Sequence, residues 1–279
     1  MPIHDQGYRR YEGRRIAQGH AWRIIASTGI RTLLARRAFA ALLLASWLPF
    51  LVRAVQIYAA VNLPQAAFLA PTAATFQQFL GQQEVFLFFI SVYAGAGLIA
   101  NDRRANALQI YLARPLTRFQ YVGGKLAVLL AFLLFVTWVP ALGLLLMQVL
   151  FAGSFAFVIE HWYLVPAITL FSVVQAVTVA LAILALSSLS TSSRYVGILY
   201  SALLFFTQAI TLVLRGVTGH TRLAWFSVAS SLEQLGHVVF RMTPPYEAPL
   251  TLCLLMIVAV VAAAIAVLER RVRGTEVVA

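Results

Sequence analysis

The sequence predicts an all-α membrane protein with six transmembrane helices, and three observations carry that prediction. Of 279 residues, 61% are hydrophobic. Only 11% are charged, against roughly 25% in a soluble domain. The mean hydropathy is +0.85, and it is concentrated in charge-free runs close to the roughly 20 residues that a helix needs to cross a bilayer core. These figures exclude an ordinary globular enzyme, a disordered chain and a coiled coil. The net charge of +12 would suggest nucleic acid in a soluble protein. Here the arginines gather at the ends of apolar runs, which is the pattern of a membrane address, and no nucleic-acid partner is expected. The single cysteine, Cys253, lies inside an apolar run. That excludes a disulfide framework or a cysteine metal site within one chain.

Charge positions divide the chain into six spans. The first covers 38–58, with Pro49 and Arg53 inside it. The second lies between Glu84 and Asp102; about 17 uncharged residues reach roughly 26 Å, short but adequate with snorkelling ends. The third runs from Lys125 to Gly153 and the fourth covers 164–189. The fifth lies between Arg194 and Arg215, and the sixth between Glu247 and Glu269. Basic residues then fall on one side. Segment 1–37 holds Arg9, Arg10, Arg14, Arg15, Arg23, Arg31, Arg36 and Arg37. The loop after span two adds Arg103, Arg104, Arg114, Arg118 and Lys125, and Arg194, Arg270, Arg271 and Arg273 complete the set. The other side holds Arg215, Arg222 and Arg241. The positive-inside rule therefore predicts cytoplasmic termini, with 1–37 and 270–279 flanking a six-span domain over 38–269. No cleavable signal peptide is expected, because the first apolar run begins far into the chain and is long enough to span.

Before the first span, Trp22, Ile25, Ala26, Gly29, Ile30, Leu33 and Leu34 recur at helical spacing, with Arg23, Ser27, Arg31 and Thr32 on much of the other face. This predicts an amphipathic helix at the membrane interface. Its candidate interface residues are Trp22, Ile25, Ile30 and Leu33. Contact with the lipid surface alone and additional contact with a cytoplasmic partner both fit the pattern.

The loop 101–125 is polar without being loop-like. Asp102 is placed to cap a helix start, and Ala105, Leu108, Tyr111 and Leu112 fall on one face. Arg114-Pro115 ends that helix, because the residue before proline is pushed out of the helical region. Thr117 then opens a capping box with Gln120. A short helix, a proline break and a return helix held between two spans make a rigid lever. A headgroup-bound loop obeying the inside rule has the same spacing, and the spacing leaves both open.

The loop resembles that of type-2 ABC exporter permeases, the membrane subunits of ATP-driven exporters. The matching features are Asp102 at the end of span two, Ala107-Leu108, the apolar stretch Ile110 to Leu112, Arg114-Pro115-Leu116-Thr117-Arg118, and Gly124-Lys125. Ala107 departs from the Thr common in that family. The six-span order, the preceding amphipathic helix and the long segment after span five extend the resemblance to the whole chain. It implies a bacterial inner-membrane permease whose coupling helix docks on separate ATPase subunits, and a second permease subunit, homologous or identical. The ATPase-coupling residues it implies are Asp102, Arg103, Arg104, Leu108, Tyr111, Leu112, Arg114, Pro115, Thr117 and Arg118. It also implies that spans two and five line the dimer interface, with Phe89, Tyr93, Tyr200 and Gln208 as pathway-lining candidates. The run Ala94, Gly95, Ala96, Gly97 and Ala100 would allow close helix approach there. An apolar, aromatic lining of that kind suits an amphipathic or lipid-like cargo.

The chain lacks a complete phosphate-binding loop. Gly123-Gly124-Lys125 resembles the tail of one, but Phe119 stands at the first glycine and Leu126 follows the lysine. The chain is therefore not expected to be an enzyme; ATP and magnesium are expected in the partner ATPase subunits that the resemblance implies. Glu233 and His237 have a metal-ligand spacing on one helix face, but no third ligand is evident. Segment 216–249 mixes Leu223, Trp225, Phe226, Val228, Leu232, Leu235, Val238 and Val239 with charges. It predicts short helices with partly buried faces, which either cap the pathway or lie in the interface with Trp225 as a belt anchor. A second functional reading keeps the same lever but moves no cargo: a mechanical permease transmits ATP-driven motion to an extracytoplasmic partner bound at 216–249.

Overall fold

A computed structural model describes residues 21–107 and 117–272, apart from the side chain of Ala67. The described chain is helical. We label α1 (Ala21–Leu34), α2 (Arg37–Asn62), α3 (Ala73–Arg104), α4 (Arg118–Ala152), α5 (Leu164–Leu189) and α6 (Ser193–Thr218). A shorter α7 (Val228–Val239) precedes α8 (Leu250–Arg271). The six helices α2 to α6 and α8 are long and apolar enough to cross a membrane.

All six predicted spans are present, with one large difference. Span two is the 32-residue helix α3, not a short one. It begins at Ala73, so Glu84 stands about three turns inside it. The sequence reading placed the helix end at the first charge; the structure accommodates that charge by turning its carboxylate inward, onto Gln175 of α5.

Two kinks follow directly from proline. Pro49 has no N–H for the Ala45 carbonyl, and α2 is interrupted at Ser46–Trp47. There the Ser46 carbonyl, freed from the helix, accepts from the buried Gln83 side chain of α3 at 3.0 Å. Pro140 has no N–H for Val136, and α4 is interrupted at Thr137. The Thr137 hydroxyl turns back onto the Leu133 carbonyl at 2.8 Å.

Helix α5 is the hub: it packs on α3, α4, α6, α7 and α8. Two cores divide the bundle along its length. One gathers Ala26 and Leu33 of α1, Ile99 and Ala100 of α3, Tyr121 of α4, Ala185 of α5 and Leu268 of α8. We call this the terminal end. The other gathers Ile57, Phe79, Leu144, Ile168, Phe171 and Phe240 at the far end.

The small-residue run has a role inside the chain. A Cβ added at Gly95 would lie 2.7 Å from the Ile183 side chain. Ala94, Ala96 and Ala100 are buried in the terminal-end core. The close approach is to α5 of the same chain, where the sequence reading expected span five and a second subunit.

Candidate functional site

The two positions that frame the polar loop, 23 apart in sequence, meet in space. Asp102 Oδ2 lies 2.8 Å from Lys125 Nζ and accepts from the Tyr121 hydroxyl at 2.7 Å. The lysine also lies over the Tyr121 ring, 5.5 Å from its centroid. Asp102 and Lys125 are only 20% and 16% exposed. Charges this sheltered interact more strongly than exposed ones, and each is costly to strand. Asp102 does not start a new helix, as the sequence reading expected. It sits inside the last turns of α3, which continue to Arg104. The break comes later, at Asn106, where φ is 51°; asparagine is among the few residues that adopt this left-handed conformation readily.

Span two is irregular just above the clamp. Residues Ser91–Gly95 form a π-turn and regular helix resumes at Ala100. Backbone groups left over by the irregular turns find Ser187 of α5. Its hydroxyl accepts from Ile99 N–H at 3.1 Å and Ala100 N–H at 3.0 Å, and donates to the Ala96 carbonyl at 2.9 Å. The guanidinium of Arg103 donates to the Ser188 carbonyl, and Arg104 Nε donates to the Thr191 carbonyl at 3.2 Å. Arg103 thus binds the carbonyl end of α5, where the helix dipole favours cations, and Arg104 binds the short linker just beyond it. Ser187→Ala should lower stability by about 1–3 kcal/mol, the cost of stranding buried donors. Ser188→Ala should cost less, since that hydroxyl only turns back on the Ala185 carbonyl of its own helix. Thermal melts of the two variants, with amide exchange at Ile99 and Ala100, check this.

On the other side of the loop, the predicted capping box is present. The Thr117 side chain accepts from Gln120 N–H at 3.3 Å, and the Gln120 side chain accepts from Thr117 N–H at 3.3 Å. Arg118 and Phe119 follow, both exposed. Thus both ends of the loop stand on fixed bases. The candidate residues Leu108, Tyr111, Leu112, Arg114 and Pro115 lie outside the described residues, as do segments 1–20 and 273–279.

Helix α1 has the predicted amphipathic pattern, but its apolar face meets protein. It packs along α4, with Ala26 and Leu33 buried and Ile25 and Ile30 against the same core. Trp22 remains 39% exposed. The contact depends on Gly124: a Cβ there would lie 2.8 Å from Ile25 Cβ and 3.0 Å from the Trp22 carbonyl oxygen. Sequence reasoning found the Gly-Lys pair but not this reason for it. The pair belongs to the first turns of α4, with the glycine under α1 and the lysine on Asp102. A cleft of about 390 Å³ opens between α1, α3 and α4, lined by Thr28, Arg36, Tyr93, Asn101 and Lys125 among others.

At the far end, segment 216–249 folds onto the bundle. Ser227 caps α7, accepting from Ser230 N–H at 3.4 Å. Val228, Leu232 and Leu235 are buried, as the periodicity predicts. The amide of Gln234 pins the chain before α8: it donates to the Tyr246 and Ala248 carbonyls, both at 3.0 Å, and accepts from Tyr246 N–H at 3.2 Å. Gln208 of α6 accepts from Ser227 at 2.7 Å and Ser230 at 3.2 Å. The Tyr246 hydroxyl donates to Glu233 at 2.5 Å. Burial pushes the Tyr246 phenol up to about 12, and the hydrogen bond and charge of Glu233 add to the rise. His237 bonds the Thr243 carbonyl at 2.9 Å, so Glu233 and His237 have separate partners. Trp225 stacks on Phe226 at 4.0 Å and packs beside Ala224, Ala248 and Cys253. Arg241 takes φ 58° with its guanidinium 4.3 Å from the Tyr163 ring centroid.

The four pathway candidates do not converge within one chain. Phe89 is 52% exposed, while Tyr200 is buried and stacks on Phe88 at 6.0 Å. Tyr93 stacks on Phe39 at 5.4 Å and borders the terminal-end cleft. Gln208 is taken by α7. Among the other polar residues within spans, Gln175 bridges two helices, whereas Thr178 and Thr211 bond carbonyls of their own helices.

No protein-family model matches the chain, and no curated protein matches it.

Proposed function

We propose that this chain is the membrane-spanning permease subunit of an ABC exporter in the bacterial cytoplasmic membrane. In this reading both termini face the cytoplasm, and separate ATPase subunits dock on the loop between α3 and α4. ATP closes those subunits, the loop moves with them, and a pair of permeases switches access for an amphipathic or lipid-like cargo. The observation that carries the reading is the meeting of two loop-motif positions, Asp102 and Lys125, in one ion pair. That ion pair ties together the ends of α3 and α4 from which the loop departs. Arg103 and Arg104 extend the connection to the end of α5. The loop therefore has a mechanical path to the three central spans. A coupling of this kind acts only through contacts that differ between two states.

The test is affinity purification of the tagged chain from its native membrane. An ATPase subunit should co-purify, and Leu108→Arg or Tyr111→Ala should lose it, or uncouple hydrolysis, while the chain still inserts. Recovery and coupling unchanged in both variants would refute the reading. The mechanical alternative is favoured by one feature, the braced far-end cap with its exposed rim of His220, Arg222 and Glu247. It predicts an extracytoplasmic partner at 216–249 and no cargo-stimulated hydrolysis.

A further inference from the structure

Among the carboxylates of the described spans, Glu84 lies farthest from a helix end. Its Oε1 accepts from Gln175 Nε2 at 3.3 Å. Gln175 is 1% exposed, and its own Oε1 has no hydrogen-bond partner. An amide oxygen buried beside a carboxyl group lacks a donor, and an ionised carboxylate has none to give. A carboxylic acid does. With a proton on Oε2, Glu84 and Gln175 form a closed acid–amide ring: amide N–H to acid carbonyl, acid O–H to amide carbonyl. Both side chains are then satisfied, as buried polar groups in native structures usually are.

The surroundings favour the same state. No salt bridge among the described residues includes Glu84. Helix α5 carries no charged residue, and α4 carries charge only at its terminal end, in Arg118 and Lys125. Arg53 of α2 is engaged by Gln56 and by Gln78, nearly two turns from Glu84. The ionisable group that acts on Glu84 from α7 is another acid, Glu233, whose carboxylate holds the Tyr246 hydroxyl. Arg215 of α6 acts on Tyr246. A bare carboxylate at the half-buried Glu84 would thus have no cation paired with it among the described residues and no proton to offer the orphaned Gln175 oxygen.

We propose that Glu84 is a proton-binding site, holding its proton in a ring with Gln175 and exchanging it with the solution at the far end. On release, the Glu84 O–H bond breaks, the proton passes to water and the electron pair stays on the carboxylate. The ring opens and Glu84 then repels Glu233. The seam between α3, α5 and α7 is therefore closed at acid pH and loosened as pH rises.

Infrared difference spectroscopy of the purified full chain in lipid nanodiscs, between acid and alkaline pH, tests this without any partner or cargo. The wild type should show a protonated-carboxyl carbonyl band that disappears as pH rises. Glu84→Gln should abolish the band and flatten the pH dependence of thermal melting; Glu233→Gln should retain the band, titrating at lower pH, because the opposing negative charge is gone. Gln175→Leu, a second probe of the ring, should shift the band to that of a singly bonded or free acid. A titrating band that survives Glu84→Gln, or no titrating band at all, would overturn the proposal. So would stabilisation of the wild type, but not Glu84→Gln, by sodium or calcium at constant pH, which would assign the site to a metal cation.

Discussion

Asp102→Ala should destabilise the chain by about 3 kcal/mol, because it strands the partly buried Lys125 ammonium and removes the acceptor of the Tyr121 hydroxyl. Lys125→Ala should cost a similar amount by stranding the carboxylate. The double variant should cost clearly less than the two singles together, with a coupling energy of about 1–3 kcal/mol. Denaturation of the four proteins in one detergent provides the cycle. Additive effects would mean that the 2.8 Å contact contributes nothing as a pair. In the proposed assembly the same substitutions should leave ATP turnover in place while weakening its link to transport. The clamp lies between the loop and the spans, not at the docking surface.

Gly124→Ala and Gly123→Ala should act in opposite directions although they are neighbours. A Cβ at Gly124 meets Ile25 at 2.8 Å and the Trp22 carbonyl at 3.0 Å, whereas at Gly123 nothing lies within 4 Å. At Gly123 alanine should stabilise α4 by about 0.5–1 kcal/mol, through helix propensity alone. At Gly124 backbone stands in the way, so α1 must shift, at about 1–3 kcal/mol. Trypsin reads the difference directly, since Arg23 and Arg31 lie on the exposed face of α1. Cleavage within α1 should accelerate in Gly124→Ala and stay unchanged in Gly123→Ala. Equal cleavage in both would mean that α1 is not held against α4.

The spans were legible because nothing but an apolar run of sufficient length satisfies a bilayer, and this chain keeps charge largely out of its spans and at their ends. Legibility failed where a polar group has a partner distant in sequence. Glu84 reads as a helix end until Gln175, 91 residues away, brings its carboxylate inside. Ser187 reads as an ordinary serine near the end of a span; its importance comes from the irregular turn in α3 that it repairs, and no local pattern announces that turn. Asp102 was found as a motif residue but given a capping role, because sequence shows its neighbours and not Lys125 or Tyr121. The capping box at Thr117 was fully readable, since both of its members are three residues apart. The face of α1 was readable too, but its occupant was not: periodicity identifies an apolar face without distinguishing lipid from the side of α4.

The central claim is that the loop between α3 and α4 is a firmly seated connector that carries work from a partner's nucleotide chemistry into the bundle. Hydrogen–deuterium exchange over 107–117, in the intact assembly turning over ATP, tests it most directly. The account predicts strong protection relative to the isolated chain, changing when the ATPase is trapped with nucleotide, with linked changes at Ile99 and Ala100 beside Ser187. Exchange over that segment as fast in the working assembly as in the isolated chain, and indifferent to nucleotide, would contradict it.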